Sequence, residues 1–323
     1  MAQPAPAPAY PRHPAPTAPC PLTGEPSRLV QAVSVKFLEG LWRMAAGAEV
    51  ARHYPGMKKL GLYEAPCGLH FFYPMIAGDG AFYKQTYEKI DAHEMLNRDH
   101  MQRMEFVRAA AYVPAGGAVA DVGCGAAMFR DHVKGARYQG VDPYAEPDAP
   151  AWIAREDVEA HADKHTGAYD VACAFQVLEH VDDPLGFARQ MVRCLKPGGV
   201  LVLCAPLHPS QLTEIPNNPV NGPPHHLTWW NRGAYEALCR ELGLEVLEIT
   251  ALEPSAYQKL FFWFHRLMPF KTDPKAGVYY ASSKPWAIGM YAAYGLSKVV
   301  GFFGGMPKTA RPVDIFLAAR KAG

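Results

Sequence analysis

The residues best suited to chemistry begin with a glycine-rich turn and the acids around it. The turn is Asp121-Val-Gly123-Cys-Gly125, and Asp142 ends the next apolar segment. Small residues let the backbone approach a ligand, and an acid at the following strand end can bind ribose hydroxyls. Because Asp121 lies just before the first glycine, separated from it by Val122, it would repel a phosphate. The pattern therefore predicts a site for a nucleoside ligand without phosphates.

S-adenosylmethionine meets these requirements. Its ammonium group can lie against an acidic strand end, and its carboxylate can accept hydrogen bonds from the amides at the start of a helix. The methyl group on its sulfonium is already activated. Catalysis would then consist of positioning an acceptor and removing the acceptor's proton.

A histidine is the natural base for that proton, since its unperturbed pKa is about 6.5. His180 closes the segment Gln176-Val-Leu-Glu179-His180, directly after a buried strand, where open α/β sheets bind their ligands. We therefore expect His180 to face the pocket. The alternative is that Glu179 pairs locally and His180 only bonds the backbone.

A second candidate base lies in the loop that begins with Pro223-Pro224. His225 and His226 follow these two prolines, which stiffen the loop by fixing φ. Neighbouring residues of an extended chain point to opposite sides, so we expect one histidine to reach the substrate and favour His226. The alternative is that the pair packs the loop against Trp229.

Alternating strands and helices must position these residues. Such alternation predicts parallel pairing and a doubly wound α/β sheet. The predicted helices are Met101–Val113 and Pro184–Leu195, and the predicted strands are Ala118–Val122, Tyr138–Val141, Tyr169–Phe175, Gly199–Ala205, Leu244–Thr250 and Val313–Ala319.

The composition excludes some classes of protein. The net charge of the 323 residues is only +1, so no broad basic face indicates a nucleic-acid partner. The 7 cysteines are scattered, which favours a reducing cytoplasm over a disulfide framework.

The chain divides into five predicted parts. Residues 1–19 are Pro/Ala-rich and are expected to be a disordered tail. The remaining parts are a ribbon-like and cap region at 20–98, a core at 99–252, an aromatic helical insertion at 253–309 and the last core strand at 310–323.

The core resembles the class I S-adenosylmethionine-dependent methyltransferases. The resemblance rests on residues 121–125, 140–142, 169–171, 177–181 and 195–199. It implies a Rossmann-like, mostly parallel seven-stranded sheet whose last strand runs antiparallel between its neighbours.

The resemblance also implies which residues contact the cofactor. Asp121, Gly123 and Gly125 would line its methionine portion, and Asp142 its ribose. Asp157 would contact the adenine, with an ordinary solvated carboxylate as the alternative, and we count Gln176 among the cofactor contacts.

The front of the chain is similar to a methyltransferase subgroup with an N-terminal zinc ribbon. Cys20 and Cys67 remain, but Thr23 and Glu64 replace the other cysteine of each pair. Structural zinc needs four nitrogen or sulfur ligands, so we expect a degenerate ribbon held by packing.

Two further family features bear on the histidines. Some relatives hold a divalent metal with Glu-x-x-Glu-His, but Gln176 supplies no charge here, so we expect no metal. The subgroup includes sugar C-methyltransferases with Tyr-x-Glu-His-Leu, in which the final His matches His226. The Tyr and Glu of that motif are Pro223 and His225 here.

The aromatic insertion contains an aromatic-dense run at 257–270 and an almost wholly apolar run at 286–306. Several glycines weaken the second run as a membrane span, and the chain must return to complete the sheet. We expect a hydrophobic lid, a peripheral membrane contact through residues 257–306, or a buried cap or dimer contact.

The expected function is S-adenosylmethionine-dependent O-methylation of a small-molecule or lipid-linked acceptor, in the cytoplasm or at a membrane surface. Sugar C-methylation is the alternative. A non-catalytic scaffold that binds the cofactor is the alternative of another class. The sequence leaves the acceptor and the oligomeric state open.

Overall fold

The computed structural model describes residues 11–89, 100–272, 274–281 and 283–323. Its main layer is a sheet of seven strands: β5 (Ala118–Val122), β6 (Arg137–Val141), β7 (Ile153–Ala154), β8 (Tyr169–Phe175), β9 (Leu195–Pro206), β11 (Leu244–Ala251) and β12 (Asp314–Lys321). Across the sheet these strands lie in the order β11-β12-β9-β8-β5-β6-β7.

The predicted sheet is confirmed. Strands β5 to β9 pair in parallel, and β12 lies antiparallel between β9 and β11. Alternate side chains of the central strands enter two apolar clusters, one on each face. The helices that flank the sheet are α3 (Met104–Ala110), α4 (Val158–Lys164), α5 (Pro184–Cys194) and α6 (Arg232–Leu242).

The element after the glycine turn differs from the prediction. Only a five-residue 3-10 helix, Met128–His132, separates the turn from β6. Ala127 enters it with a left-handed φ of 54°, which breaks continuity with the turn. A full α-helix, whose start could bind the cofactor's carboxylate, is therefore absent at this point of the described chain.

A second, antiparallel sheet lies in front of the core. Its order is β1-β2-β3-β4-β10, formed by Thr17–Pro19, Pro26–Ser34, Lys59–Glu64, His70–Tyr73 and Thr228–Trp229. Helix α1 (Val35–Ala46) follows β2 in the chain, and helix α2 (Gly80–Lys89) follows β4. Because β10 follows β9 in the chain, this sheet is joined directly to the core.

The front sheet corrects one prediction and bears on another. Thr17–Pro19 pair with β2, so the predicted disorder does not extend through Pro19; residues 1–10 lie outside the described residues. The Cys20 and Cys67 side chains lie within hydrogen-bonding contact. Around them Tyr63 and Phe71 are fully buried, as packing in place of zinc would require.

The aromatic insertion contains two helices, α7 (Lys259–Leu267) and α8 (Lys284–Phe303). Trp286 and Ala293 are buried against the front sheet. The opposite side of α8 exposes large apolar side chains, with Phe302 81% and Phe303 84% exposed. Among the helices with described positions, none combines the length and hydropathy that a bilayer crossing requires.

Candidate active site

The glycine turn (residues 121–127) is held by Asp142 at the carboxyl end of β6. One carboxylate oxygen of Asp142 accepts the N–H of Gly125 at 2.9 Å, and the other accepts the N–H of Tyr144 at 2.9 Å. Gly123 and Gly125 have positive φ values of 71° and 50°, which favour glycine. A Cβ added to Gly125 would meet no atom within 4 Å, so the space above the turn is open to a ligand.

The Asp121 side chain is buried and has neighbours from two adjacent strands. Its carboxylate accepts the Tyr138 hydroxyl at 2.5 Å, and the Cys173 thiol lies 3.8 Å from the other oxygen. Burial raises the pKa of Asp121 to about 7. The side chain therefore braces β5 against β6 and β8, and its contact with the cofactor stays a prediction.

The two remaining predicted cofactor residues have local partners. Asp157 is exposed and caps α4, accepting the N–H of Ala160 at 2.8 Å. Gln176 has a positive φ of 57° and donates its amide N–H to Asp314 at 3.2 Å. Their roles toward the cofactor also stay predictions.

A buried cation that the sequence analysis did not predict lies at this edge. Arg103 precedes α3 and pairs with Glu105 at 2.6 Å, both side chains being almost fully buried. Its guanidinium lies 4.4 Å from the Phe106 ring centroid and 5.1 Å from that of Tyr257. Since an α-helix start is lacking after the glycine turn, Arg103 is a candidate partner for a cofactor carboxylate. The signal in the sequence was an arginine directly before the first core helix.

The predicted bases come together in one group, the histidine cluster (Glu179, His180, His225 and His226). The imidazole centroids of His180 lie 4.4 Å from His225 and 4.8 Å from His226. One ring nitrogen of each histidine lies within 4.8 Å of those of the other two. The cluster sits beyond the ends of β8 and β9, at the same edge as Asp142.

His225 and His226 do not point to opposite sides, so that expectation was wrong. The N–H groups of both residues bond the Gly222 carbonyl at 3.1 Å, because the chain turns here instead of extending. Their rings stack at 4.6 Å and 19°. The turn therefore brings both imidazoles to His180.

Each imidazole is oriented through its Nδ1 atom. The Nδ1 of His180 lies 2.8 Å from the His225 carbonyl, that of His225 2.8 Å from the Val220 carbonyl, and that of His226 3.0 Å from Asn221 Oδ1. These oxygens only accept, so each Nδ1 carries the hydrogen and each Nε2 keeps its lone pair. All three rings are thus presented as Nε2 acceptors.

Burial disfavours charge throughout the histidine cluster. It lowers the pKa of His180 to about 4, and burial with neighbouring imidazoles lowers the pKa of His225 and His226 well below the usual value. Burial also raises the pKa of Glu179 to about 8. Glu179 Oε1 lies 3.7 Å from His180 Nε2 and 4.0 Å from His226 Nε2.

Helix α2 joins the two halves of the site. The Tyr83 ring lies 5.7 Å from His180 and 6.3 Å from Tyr144, which follows the Asp142 strand end. Tyr87 lies 6.0 Å from His225. The two tyrosines therefore pack between the edge that carries Asp142 and the histidine cluster.

The geometry fits S-adenosylmethionine. The space above Gly125 is open, Asp142 is half-buried at the strand end, and Arg103 supplies a cation nearby. The Tyr83 ring contacts both Tyr144, at the edge that carries Asp142, and His180 of the histidine cluster.

Comparison with known proteins agrees with this geometry. The family model described as "Methyltransferase domain" matches residues 96–249. Ubiquinone biosynthesis O-methyltransferase of Sodalis glossinidius is 39% identical over 94 residues, which are 25% of this chain and 38% of that protein. The Pectobacterium atrosepticum protein of the same name is 35% identical over 117 residues, covering 32% and 48% of the two chains.

The alignment thus spans about half or less of those relatives. Among solved structures, a SAM-dependent methyltransferase from Archaeoglobus fulgidus has a TM-score of 0.46 at 16% identity, covering 73% of this chain and 100% of that one. The family match coincides with the sheet and the strand-end residues described above. Residues 96–249, just under half of this chain, therefore match a methyltransferase domain, and S-adenosylmethionine is the cofactor that fits its site.

Proposed function

We propose that the protein methylates a hydroxyl oxygen of a small-molecule or lipid-linked acceptor, with the histidine cluster receiving the acceptor. The observation that carries this proposal is the convergence of three neutral imidazoles beyond the carboxyl ends of the parallel strands, the edge of the sheet that also carries the glycine turn. The O-methyltransferase names of the partial relatives favour oxygen as the acceptor atom.

The residues of the chain would divide the work in a simple way. Asp142 would bind the ribose, the glycine turn would line the methionine portion, and Arg103 would attract the carboxylate. When bound, S-adenosylmethionine supplies an activated methyl group whose bond to sulfur breaks with the electron pair staying on sulfur. The acceptor oxygen bonds to the methyl carbon, and its proton passes to an Nε2 atom.

His226 is our first choice for that base, with His180 and His225 as the other candidates. Its Nδ1 hydrogen bond to Asn221 fixes the tautomer that leaves Nε2 as an acceptor. The low pKa that burial imposes on these imidazoles keeps them unprotonated, so that Nε2 of each ring retains its lone pair.

The aromatic insertion favours an acceptor presented at a lipid surface. Ile288, Tyr291, Val299 and Phe302 are exposed and follow one another along α8 at intervals of three or eight residues, so they share a face. From residue 254 to 311, lysines and arginines outnumber acids, of which Asp273 is the only one. An apolar face on a basic segment is typical of contact with an anionic bilayer.

The proposed function can be tested without knowing the acceptor. Purified protein is incubated with a cell extract and methyl-labelled S-adenosylmethionine, and the labelled product is identified. We expect a methyl ether on a small or lipid-linked molecule, absent when the Asp142→Ala protein is used. Label on sugar carbon would favour the C-methyltransferase alternative.

The scaffold alternative predicts a different outcome. S-adenosylhomocysteine would bind, with loss of binding in Asp142→Ala, but no labelled product would form in any fraction. The open space above Gly125 supports cofactor binding under both hypotheses, so product formation is the measurement that separates them.

A further inference from the structure

We propose that the histidine cluster is a binding site for one divalent transition-metal cation of the zinc type, with three imidazole nitrogens and the Glu179 carboxylate as ligands. The site itself is argued from geometry; its role in catalysis rests on the proposed function. The sequence led us to expect no metal, because Gln176 lacks charge. That argument considered one segment, whereas the folded chain brings in two histidines from another loop.

The spacing of the donors suits a single ion. Zinc–nitrogen bonds of about 2.0–2.1 Å place tetrahedral ligands roughly 3.3 Å apart. One ring nitrogen of each histidine already lies within 4.8 Å of those of the other two, and Glu179 Oε1 lies 3.7 Å from His180 Nε2 and 4.0 Å from His226 Nε2. Side-chain rotation would close this difference without moving the strands.

The imidazoles carry the outer hydrogen bonds that metal-binding histidines have. Such histidines donate their second ring N–H to a carbonyl or carboxylate, which fixes the tautomer and aims the lone pair at the ion. Here His180 and His225 donate to backbone carbonyls, and His226 donates to Asn221. One such bond is ordinary, but three with converging rings indicate a prepared ligand set.

The cluster also holds buried polar atoms that have no other partner. Both carboxylate oxygens of Glu179 and the Nε2 of His225 are buried and lack a hydrogen-bond partner within the described chain. Glu179 is 0% exposed. A buried carboxylate with no donor is costly, and a cation among these atoms would satisfy it.

A second group in the chain shows what a weaker candidate looks like. Glu156, His161 and His165 also bring donor atoms within 4.8 Å of one another. There, however, His161 Nδ1 already bonds Glu156 and Nε2 bonds the Tyr169 hydroxyl, both at 2.8 Å. No lone pair of His161 is left for an ion, so this group serves as an internal control.

The cation would change how the acceptor oxygen is activated in the proposed reaction. With the Nε2 lone pairs engaged as ligands, a bound cation would lower the pKa of the acceptor hydroxyl, the proton would pass to water, and the positive charge would stabilise the resulting oxyanion in place of an imidazole base. Nitrogen-rich ligation favours Zn²⁺, Co²⁺ or Fe²⁺ over Mg²⁺, which prefers oxygen ligands.

The test uses Co²⁺ alone, without cofactor or acceptor, so its result is independent of methyl transfer. The full chain is freed of metal with a chelator and titrated with Co²⁺ while visible absorption is recorded. We expect one Co²⁺ per chain, with intense d–d bands of four- or five-coordinate geometry that Zn²⁺ abolishes. Absence of saturable bands in the intact protein would overturn the proposal.

Variants locate the ion. Glu179→Gln keeps the side-chain shape, and Asn221→Ala spares every ligand; each should weaken Co²⁺ binding about 10- to 100-fold. His165→Ala is the matched control and should leave binding unchanged. Circular dichroism verifies folding, and bands lost in His165→Ala but kept in Glu179→Gln would contradict the assignment. Binding of S-adenosylhomocysteine, measured separately, reports on the proposed function.

Discussion

The glycine turn comes from one stretch of chain, whereas the histidine cluster draws on two loops and rests against α2. The glycine turn is open, and its acid Asp142 has two backbone N–H partners. The cluster is closed, and its acid Glu179 has no such partner among the described residues. The proposed cofactor site is therefore built mainly by one local turn, while the proposed reacting end depends on long-range tertiary contacts.

The strongest test of whether the two regions have separate roles is to remove one imidazole from the histidine cluster. His226→Ala should lower turnover about 100- to 1,000-fold, because either a base or a metal ligand is lost. Affinity for S-adenosylhomocysteine should stay within about twofold, since the glycine turn is untouched. Turnover follows the labelled methyl group, and calorimetry follows binding.

His165→Ala supplies the matched control, since this histidine lies in another group of the protein. Equal activity of His226→Ala and the control would remove His226 from the reaction. A parallel loss of cofactor affinity in His226→Ala would show that the two regions are not separable.

The converse change tests the glycine turn. Asp142→Ala should weaken S-adenosylhomocysteine about 10- to 100-fold, because charge-assisted hydrogen bonds contribute about 1.5–3 kcal/mol. Co²⁺ binding at the cluster should persist. Asp148→Ala, in the exposed segment after the same strand, is the control, and equal affinities of the two variants would exclude Asp142 from the site.

A pH titration distinguishes a buried brace from an open ligand contact. The folded pKa of Asp121 is raised to about 7, so its carboxyl lowers stability as pH rises from about 4 to 7. Asp121→Asn removes that cost. Between pH 4 and 7, the free energy of unfolding of the variant should therefore rise relative to that of the wild type by at most about 1.4 kcal/mol per pH unit. Above pH 7 the difference should stay constant.

Urea unfolding at several pH values measures this difference. The Asn carbonyl can still accept the Tyr138 hydroxyl, so the fold should be retained. A difference in unfolding free energy that does not vary between pH 4 and 7 would show that Asp121 is ionised with an ordinary pKa.

The smallest expected effect concerns the exposed face of α8. Replacing Phe302 and Phe303 with serine should reduce binding to vesicles of anionic lipid about threefold to tenfold, because apolar burial at the interface is lost. Cosedimentation measures this, with Val246→Ser as control for a partly exposed apolar residue on β11. A change of oligomeric state instead would identify the face as a contact between copies.

The sequence was sufficient for the sheet and the glycine turn because both depend on short-range patterns. Short apolar runs predicted β5, β6, β8, β9, β11 and β12, though not the two-residue strand β7. Gly125 and Asp142 lie close together because they follow two neighbouring strands of the sheet. These features need no knowledge of distant packing.

The histidine cluster was predicted as separate residues and not as a unit. Its second loop is shaped by long-range contacts, such as the Trp42 indole N–H that donates to the Pro223 carbonyl at 2.9 Å. Asn221 is likewise fixed by Trp229 and Tyr280, which bond its carbonyl. The Arg103–Glu105 pair was missed because burial of charge cannot be read from a helix start alone.

The place of β12 between β9 and β11 has a consequence for folding kinetics. Strand β11 is the outer strand of the sheet, and its ladder partner is β12. It can therefore join the sheet only after the chain has closed a loop over residues 252–313, the whole aromatic insertion. Such a distant pairing is slow, so β11 and the surface that α6 covers should be the last part of the domain to gain protection from hydrogen exchange during refolding.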